Sequence, residues 1–145
     1  MHIEQIPAYL TWPMRQEVMY PEKRIDELKL PDDEEGIHFG LFSNNQLVSV
    51  ISWFKRGEDA QFRKFATKKE SQGKGFGTAL LQYVLQFTHE EGCSRIWCNA
   101  REYAAPFYEK FGFSKTESRY EADGYQFVVM ELILDSKRSS KSLAN

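Results

Sequence analysis

A glycine-rich stretch, Gln72-Gly73-Lys74-Gly75-Phe76-Gly77-Thr78, most restricts what this chain can fold into. It follows a strand-like run, Gln61 to Thr67, and precedes apolar residues at helical intervals that predict a helix from Gly75 to about Glu91. A helix start leaves four backbone N–H groups without helical partners and carries roughly half a positive charge. Because glycine has no Cβ, an anion can reach these groups, and the sequence therefore predicts a phosphate-binding loop. We call residues 72–78 the glycine loop.

The spacing within the glycine loop excludes two well-known phosphate-binding motifs. A Walker A loop needs a glycine five residues before its Gly-Lys pair, and Lys68 occupies that position. The dinucleotide pattern G-x-G-x-x-G fits Gly73 and Gly75 but meets Thr78 at its last position. An acidic residue should end a second strand about 20 residues later, where this chain has Arg95 to Cys98. The pattern that remains is Q-x-x-G-x-G.

A second motif lies in a short predicted helix from about Ala104 to Phe111. The stretch from Phe107 to Phe113 reads F-Y-x-x-x-G-F, with Tyr108 as its second residue. Helical periodicity places Tyr108 on the same face as Phe107 and Phe111. From periodicity alone, Tyr108 is interpreted as a core aromatic residue whose hydroxyl bonds to a carbonyl.

The two motifs together resemble the GNAT superfamily of N-acetyltransferases, which use acetyl-coenzyme A. Q/R-x-x-G-x-G/A is the pyrophosphate-binding signature of that superfamily, and F-Y-x-x-x-G-F is its second landmark. The resemblance is strong from Phe62 to Phe113 and looser from Ile37 to Leu134. It implies an α+β (mixed α/β) fold with a central, mostly antiparallel twisted sheet of six to seven strands and helices on both faces.

Local patterns divide the rest of the chain into elements that fit this fold. Thr11 to Tyr20 predicts a helix with Thr11 as its N-cap, and Gly92 is predicted to cap the long helix at its C-terminus. Asn44-Asn45 and Asp123-Gly124 predict tight turns between strands. The strands are expected near residues 3–9, 37–42, 47–54, 61–67, 95–100, 114–121 and 125–134.

The resemblance also assigns roles to individual residues. The loop residues Gln72, Gly73, Lys74, Gly75, Phe76, Gly77 and Thr78 are expected to bind the pyrophosphate of acetyl-CoA. The edge of the strand at Phe65, Ala66 and Thr67 is expected to pair with the pantetheine arm through backbone groups. Arg101 lies at a predicted strand end and is also expected to contact the cofactor, because an Arg there can bind a phosphate or an acidic acceptor. It can equally form a surface ion pair with Glu102 or Glu109.

Tyr108 is the expected catalytic residue. The resemblance implies that it protonates the coenzyme A thiolate, since Tyr commonly has that role at this place in the motif. A phenol with a pKa near 10 stays protonated at neutral pH and can donate. The general base that accepts the amine proton is left open among five residues. They are Glu17, His38, Glu102, Glu117 and Glu121.

The acceptor is expected to be an amine, of either a small molecule or a protein. The acidic segment from Asp32 to Glu35 could favour a cationic acceptor, or it could be a loop without a target. Two other functions stay open: a module that binds coenzyme A without turnover, and an interaction protein in which the glycine loop is only a turn. A homodimer is possible, because dimers are common in the superfamily.

Composition disfavours several other classes of protein. A net charge of -2 disfavours a nucleic-acid binder, and no apolar run reaches the ~20 residues of a membrane span. Cys93 and Cys98 match no zinc or redox spacing, so no metal site is expected. The N-terminus lacks a signal-peptide pattern, and a cytoplasmic location is therefore expected. Residues 1–134 are expected to form one GNAT-like domain, and residues 135–145 a disordered tail.

Overall fold

The computed structural model describes residues 1–134, and the predicted disordered tail, 135–145, lies outside the described residues. Seven strands form one sheet in the order β1-β2-β3-β4-β5-β7-β6. In chain order they are β1 His2–Ile6, β2 Ile37–Ser43, β3 Gln46–Arg56, β4 Asp59–Thr67, β5 Arg95–Arg101, β6 Ser114–Ala122 and β7 Tyr125–Ile133.

Strand pairing confirms the predicted fold class. The pairs β1–β2, β2–β3, β5–β7 and β6–β7 are antiparallel. β4 and β5 are parallel, with Asp59 opposite Arg95 and Gln61 opposite Trp97. A parallel pair needs a long crossover connection. The connection between β4 and β5 contains the helix that begins in the glycine loop.

The tight turns form where the residue types predicted them. Asn44 and Asn45 have φ of 52° and 62°, and Asp123 and Gly124 have φ of 53° and 80°. Two successive residues with positive φ match the twist of the strands that they join. Both hairpin predictions are therefore confirmed.

In the described part of the chain, α-helices and several short 3-10 segments accompany the sheet. α1 is Trp12–Met14 and continues as a π-helical turn, Arg15–Met19; α2 is Phe76–Glu90; and α3 is Ala105–Glu109. Thr11 is the N-cap residue of α1, as predicted, but its side chain makes no capping bond, because its hydroxyl donates 2.7 Å backward to the Ala8 carbonyl. The predicted single helix over residues 11–20 thus begins with a turn of α-helix and widens into π-helix.

α2 agrees closely with its predicted bounds. Leu80, Leu81 and Val84 are fully buried on its apolar face. Gly92 has φ of 80° and its N–H donates to the His89 carbonyl, which is the predicted C-terminal cap.

The chain divides into two compact units. Among the described residues, unit 1 comprises Met1–Phe54 and Phe62–Gln86, and unit 2 comprises Lys55–Gln61 and residues 87–134. Ile6, Met14, Val50 and Ala66 form a core cluster in unit 1. Unit 2 buries Ile96, Cys98, Ala100, Phe113, Val128 and Met130. That residues 1–134 form one domain stays a prediction.

Candidate active site

The glycine loop is an open turn in unit 1. Residues 72–75 are exposed, and Gly73 and Gly75 have φ of 79° and 85°. L-residues with a side chain rarely adopt this conformation, which explains why glycine stands at these two positions. A Cβ built on either residue would have no heavy atom within 4 Å, so space for a ligand is left beside the backbone.

Gly77 is glycine for a different reason. It has no left-handed backbone, and a Cβ there would lie 3.3 Å from Thr67 Oγ1 and 3.5 Å from Phe65 Cζ. The missing side chain therefore lets the first turn of α2 pack closely against β4. The sequence alone predicts that Gly77, like Gly73 and Gly75, allows the approach of a phosphate.

The first turn of α2 offers backbone donors. Ala79 N–H makes the first helical bond, 3.0 Å to the Gly75 carbonyl, and the N–H groups before it have no helical partner by construction. Phe76 is half-buried at the start of the helix, while Lys74 and Thr78 are exposed. These features, with the positive end of the helix dipole, suit the binding of an anion.

Gln72 has a local role at the entry to the glycine loop. Its side-chain amide donates 2.9 Å to the Thr67 carbonyl at the end of β4. Its backbone N–H donates 3.2 Å to the Lys69 carbonyl in a 3-10 turn, Lys69–Ser71. The bond to Thr67 holds the loop against the strand that precedes it.

β4 carries the three residues expected to pair with the pantetheine arm. In the described part of the chain its pairing with β5 spans Asp59–Gln61, and Phe65, Ala66 and Thr67 lie further along β4. Ser49 Oγ donates 3.0 Å to the Ala66 carbonyl and lies 2.8 Å from Thr67 Oγ1. These bonds from β3 fix the end of β4 in place.

Lys64, which directly precedes this segment, has a left-handed backbone with φ of 54°. For a long side chain this conformation is unusual, and within a strand it is typical of a bulge. The left-handed backbone of Lys64 could not be predicted from the sequence, because nothing in the residue type favours a positive φ.

Tyr108 lies on α3 in unit 2, where it is partly buried. Its ring is 5.2 Å from Phe107 and 5.9 Å from Phe113, and its carbonyl accepts from the Phe111 N–H at 3.0 Å. Burial raises the pKa of the Tyr108 hydroxyl, and the nearby Cys98 thiol and Tyr103 phenol raise it further. The phenol therefore stays protonated across the physiological range and can donate a hydrogen bond.

Arg101 ends β5 in an aromatic setting. Its guanidinium carbon lies 3.7 Å from the centroid of the Tyr125 ring, and Nη1 lies 3.4 Å from Tyr103 Oη. Glu102, one of the two suggested ion-pair partners, accepts instead from Arg119 Nη1 at 2.6 Å. Stacking on Tyr125 fixes the plane of the guanidinium.

The acidic segment does not present all of its charges to solvent. Asp33 is buried and accepts from Arg15 through two bonds of 2.9 Å, and Arg15 is itself fully buried and donates to the Leu28 carbonyl. Trp12 Nε1 and the Leu30 N–H also donate to Asp33. Burial alone would raise the pKa of Asp33, but the bonds from Arg15 and Leu30 and the charge of Arg15 hold it below its ordinary value.

His38 and Ser52 extend this ion pair into a ring of hydrogen bonds. Arg15 Nη2 donates 3.0 Å to Ser52 Oγ, which lies 2.7 Å from His38 Nδ1, and His38 Nε2 lies 2.8 Å from the Asp33 carbonyl. A carbonyl only accepts, so Nε2 carries a hydrogen that it donates to the Asp33 carbonyl. We call Arg15, Asp33, Ser52 and His38 the Arg15 cluster. His38 thus has a structural setting and no spare nitrogen for a base.

The other candidate bases differ in their surroundings. Glu102 is ion-paired with Arg119, and Glu121 accepts 2.7 Å from Gln126. Glu117 is exposed on β6. Glu17 lines a cavity of about 630 Å³ in unit 1, whose other lining residues are Leu10, Pro13, Met14, Gln16, Gln46, Leu47 and Lys68.

Comparisons with known proteins give a family match. The family described as "Acetyltransferase (GNAT) domain" matches residues 15–134. An uncharacterised N-acetyltransferase of Bacillus subtilis is 23% identical over 148 aligned positions, which cover 95% of this chain and 99% of that protein.

Solved structures share the fold. The ribosomal-protein-S18-alanine N-acetyltransferase of Escherichia coli has a TM-score of 0.75 at 17% identity, covering 94% of this chain and 96% of that chain. A GNAT family acetyltransferase from Elizabethkingia anophelis, whose structure contains acetyl-CoA, has a TM-score of 0.71 at 15% identity, covering 92% and 97%. Among residues 1–134, no helix is long and apolar enough to cross a bilayer.

Proposed function

The chain belongs to the GNAT family and is an acetyl-CoA dependent N-acetyltransferase, and we propose that a primary amine attacks the thioester directly while Tyr108 acts as the acid. Acetyl-CoA supplies the activated acetyl group. The residues of the chain bind it, orient the amine and provide a proton. The observation that carries the proposal is the open glycine loop at the start of α2.

The glycine loop is proposed to hold the pyrophosphate. Gly73 and Gly75 leave space on the side where a Cβ would point, which fits a group that must approach the backbone closely. The exposed Lys74 adds a positive charge, and the exposed Thr78 adds a hydroxyl donor. Gln72 supports the binding indirectly by tying the loop to β4.

The backbone of Phe65, Ala66 and Thr67 is proposed to hold the pantetheine arm. Amides pair with a strand edge whatever its side chains are, so the position along β4 supports the assignment more than residue identity does. Arg101 is proposed as a further cofactor contact, since its guanidinium lies over the Tyr125 ring and keeps its positive charge.

Tyr108 is proposed as the acid because its hydroxyl remains protonated at neutral pH. A phenol with an ordinary pKa near 10 is protonated at neutral pH, and the rings of Phe107 and Phe113 lie beside the Tyr108 ring. General acid catalysis of this kind contributes about 10²–10⁴-fold to a rate.

The acceptor amine is proposed to belong to a small molecule or a protein. The Escherichia coli neighbour is named for an alanine of ribosomal protein S18, so peptides with a free N-terminus belong in an acceptor screen beside free amino acids, aminoglycosides and polyamines. The cytoplasmic location and the homodimer stay predictions.

Substitution of Tyr108→Phe tests the catalytic assignment. Thiol release is expected to fall about 10²-fold or more, because the donor is lost, while the affinity for acetyl-CoA changes little. Tyr83→Phe is the matched control, since Tyr83 is an exposed tyrosine on α2, and it should leave turnover unchanged. Unchanged turnover in Tyr108→Phe would remove the residue from the mechanism.

A thermal-shift titration tests whether the chain binds the cofactor at all. Acetyl-CoA at 100 times its Kd should stabilise the protein by about 2.7 kcal/mol. ATP serves as the comparison ligand. A shift with ATP and none with acetyl-CoA would contradict the proposed function, whereas a shift with acetyl-CoA but no turnover on any amine would identify a coenzyme A-binding module.

A further inference from the structure

The cavity in unit 1 that Glu17 lines shares no residue with the proposed cofactor site. Its volume of about 630 Å³ lies within the range of about 300–1,000 Å³ that is usual for ligand pockets. Its lining comes from residues 10–17, from the start of β3 and from Lys68, the residue after β4. We call it the Glu17 cavity. A ligand bound there would leave the glycine loop and residues 65–67 to acetyl-CoA.

The apolar lining of the Glu17 cavity is held in place by the core. Met14 is buried and belongs to the core cluster of unit 1, and Leu47 packs against that cluster. Leu10 and Pro13 add two exposed apolar side chains. Because the core already orders Met14 and Leu47, an apolar ligand that contacts them costs little further ordering.

The helical segment that lines the cavity is locally widened. Gln16 and Glu17 lie in its π-helical turn, in which the Tyr20 N–H donates 3.2 Å to the Arg15 carbonyl. Such turns are rare overall and are often found at functional sites. The Gln16 amide is oriented, because its nitrogen donates 2.8 Å to the Lys23 carbonyl. Within residues 1–134 its amide oxygen makes no hydrogen bond and can accept one from a ligand.

Two opposite charges line the cavity without neutralising each other. Glu17 carries a carboxylate and Lys68 an ammonium group, and among the described residues neither side chain makes an ion pair or a hydrogen bond. The backbone of Lys68 is fixed, since its N–H donates 2.9 Å to the Val48 carbonyl and its carbonyl accepts 2.9 Å from the Ser71 N–H. A ligand with one charge of each sign is therefore complementary to this lining.

Two primary amides complete the polar lining. Besides Gln16, the cavity is lined by Gln46, which is exposed at the start of β3 and makes no side-chain hydrogen bond in the described part of the chain. A primary amide offers both donors and an acceptor, which suits a peptide group with one of each. The cavity thus combines apolar contact, hydrogen bonds for peptide groups and a partner for each terminal charge of a peptide.

We propose that the Glu17 cavity binds a short apolar peptide with free termini, whose ammonium group pairs with Glu17 and whose carboxylate pairs with Lys68. Gln16 and Gln46 bond to the peptide groups, and the apolar side chains of the ligand contact Met14 and Leu47. A single amino acid has no peptide group to offer the amides, so a peptide is preferred. The inference goes beyond the proposed function, since this binding needs no acetyl-CoA.

Blocked peptides test the two terminal contacts. The tripeptide Leu-Ala-Leu, its N-acetylated form and its C-terminal amide are titrated into the wild-type protein by calorimetry. Each blocked form is expected to bind about 10-fold to 100-fold more weakly, the range of a hydrogen bond to a charged group. Ser-Ala-Ser keeps both charges but lacks the apolar side chains, and it should also bind more weakly. Equal Kd values for the three forms of Leu-Ala-Leu, or no binding of the unmodified peptide, would overturn the proposal.

Two variants test whether the peptide lies in the Glu17 cavity. In Glu17→Gln the unmodified and N-acetylated peptides should bind alike, while the discrimination against the amide remains. Lys68→Met keeps much of the apolar length of the side chain and should show the opposite pattern. Glu34→Gln, at an exposed position outside the cavity, is the control and should match the wild type. Unchanged discrimination in both cavity variants would place the peptide elsewhere and overturn the proposal, and the blocked peptides still decide the matter if a variant fails to fold.

Coenzyme A separates this proposal from the proposed function. The titration of Leu-Ala-Leu is repeated on the coenzyme A-loaded protein, in which no acetyl group can be transferred, and its Kd should change by less than about threefold. Loss of peptide binding would show that the cavity belongs to the cofactor site and would overturn the proposal. Failure of the chain to bind coenzyme A would contradict the proposed function and leave the peptide titrations of the unloaded protein as the test of the cavity.

Discussion

The Arg15 cluster and the glycine loop lie in the same unit and handle charge in opposite ways. In the Arg15 cluster the charges of Arg15 and Asp33 are buried, and side chains from separate segments of the chain bond to one another. In the glycine loop the charge comes from backbone dipoles at an exposed helix start. Buried polar interactions in unit 1 therefore stabilise the fold, whereas the exposed backbone donors of the glycine loop remain accessible to a ligand.

Breaking the Arg15–Asp33 pair should have the largest effect of any change in this comparison. Asp33→Asn leaves the guanidinium of Arg15 buried without its countercharge, which is expected to lower the free energy of unfolding by about 3–5 kcal/mol. Chemical denaturation with urea measures the loss.

The adjacent aspartate provides the matched control. Asp32 lies 4.0 Å from Arg63 at a partly exposed site, so Asp32→Asn should lower the free energy of unfolding by no more than about 1 kcal/mol. Similar losses in the two variants would show that burial of the Arg15 cluster adds nothing to its strength.

Lowering the pH should also weaken the Arg15–Asp33 pair, because Asp33 then becomes protonated. The pKa of Asp33 is held below its ordinary value of 3.8, so the pair stabilises the fold above that pH and the contribution is lost as pH falls through the lower folded-state pKa. The difference in unfolding free energy between wild type and Asp33→Asn should therefore be widest near pH 7 and narrow below pH ~4. A difference that stayed constant down to pH ~2 would show that Asp33 does not titrate with the fold.

The same contrast explains which parts could be predicted from the sequence. The glycine loop is local: residues 72–78 alone carry the glycines, and the strand and helix on either side are visible as periodic patterns. The hairpin turns at Asn44-Asn45 and Asp123-Gly124 were predictable for the same reason, since one residue pair determines each.

The Arg15 cluster could not be predicted, because its bonds join residues far apart in the chain. Arg15 reaches Leu28, Asp33 and Ser52, which are 13, 18 and 37 positions away. Asp33 consequently looked like part of a solvated acidic loop. The left-handed backbone of Lys64 was not predictable either, because residue preference does not favour a positive φ at lysine.

Substitution of Gly75 in the glycine loop should lower both stability and affinity for acetyl-CoA. Gly75→Val places a β-branched side chain at φ of 85°, which is expected to cost about 1–3 kcal/mol in unfolding free energy. The side chain would also occupy the open space beside the backbone, so the Kd for acetyl-CoA should rise about 10-fold or more. Calorimetric titration of acetyl-CoA measures this, and near-normal binding would show that the phosphate lies elsewhere.

Gly77→Ala completes the pair and should have the smallest effect, because Gly77 faces β4 and not the open side of the loop. Alanine gains about 1 kcal/mol in helix propensity over glycine, and the Cβ contact of 3.3 Å with Thr67 offsets part of that gain. The free energy of unfolding should thus change by less than about 1 kcal/mol and the Kd for acetyl-CoA by less than about threefold. If Gly77→Ala weakened binding as much as Gly75→Val, then the ligand rather than packing against β4 would require glycine at both positions.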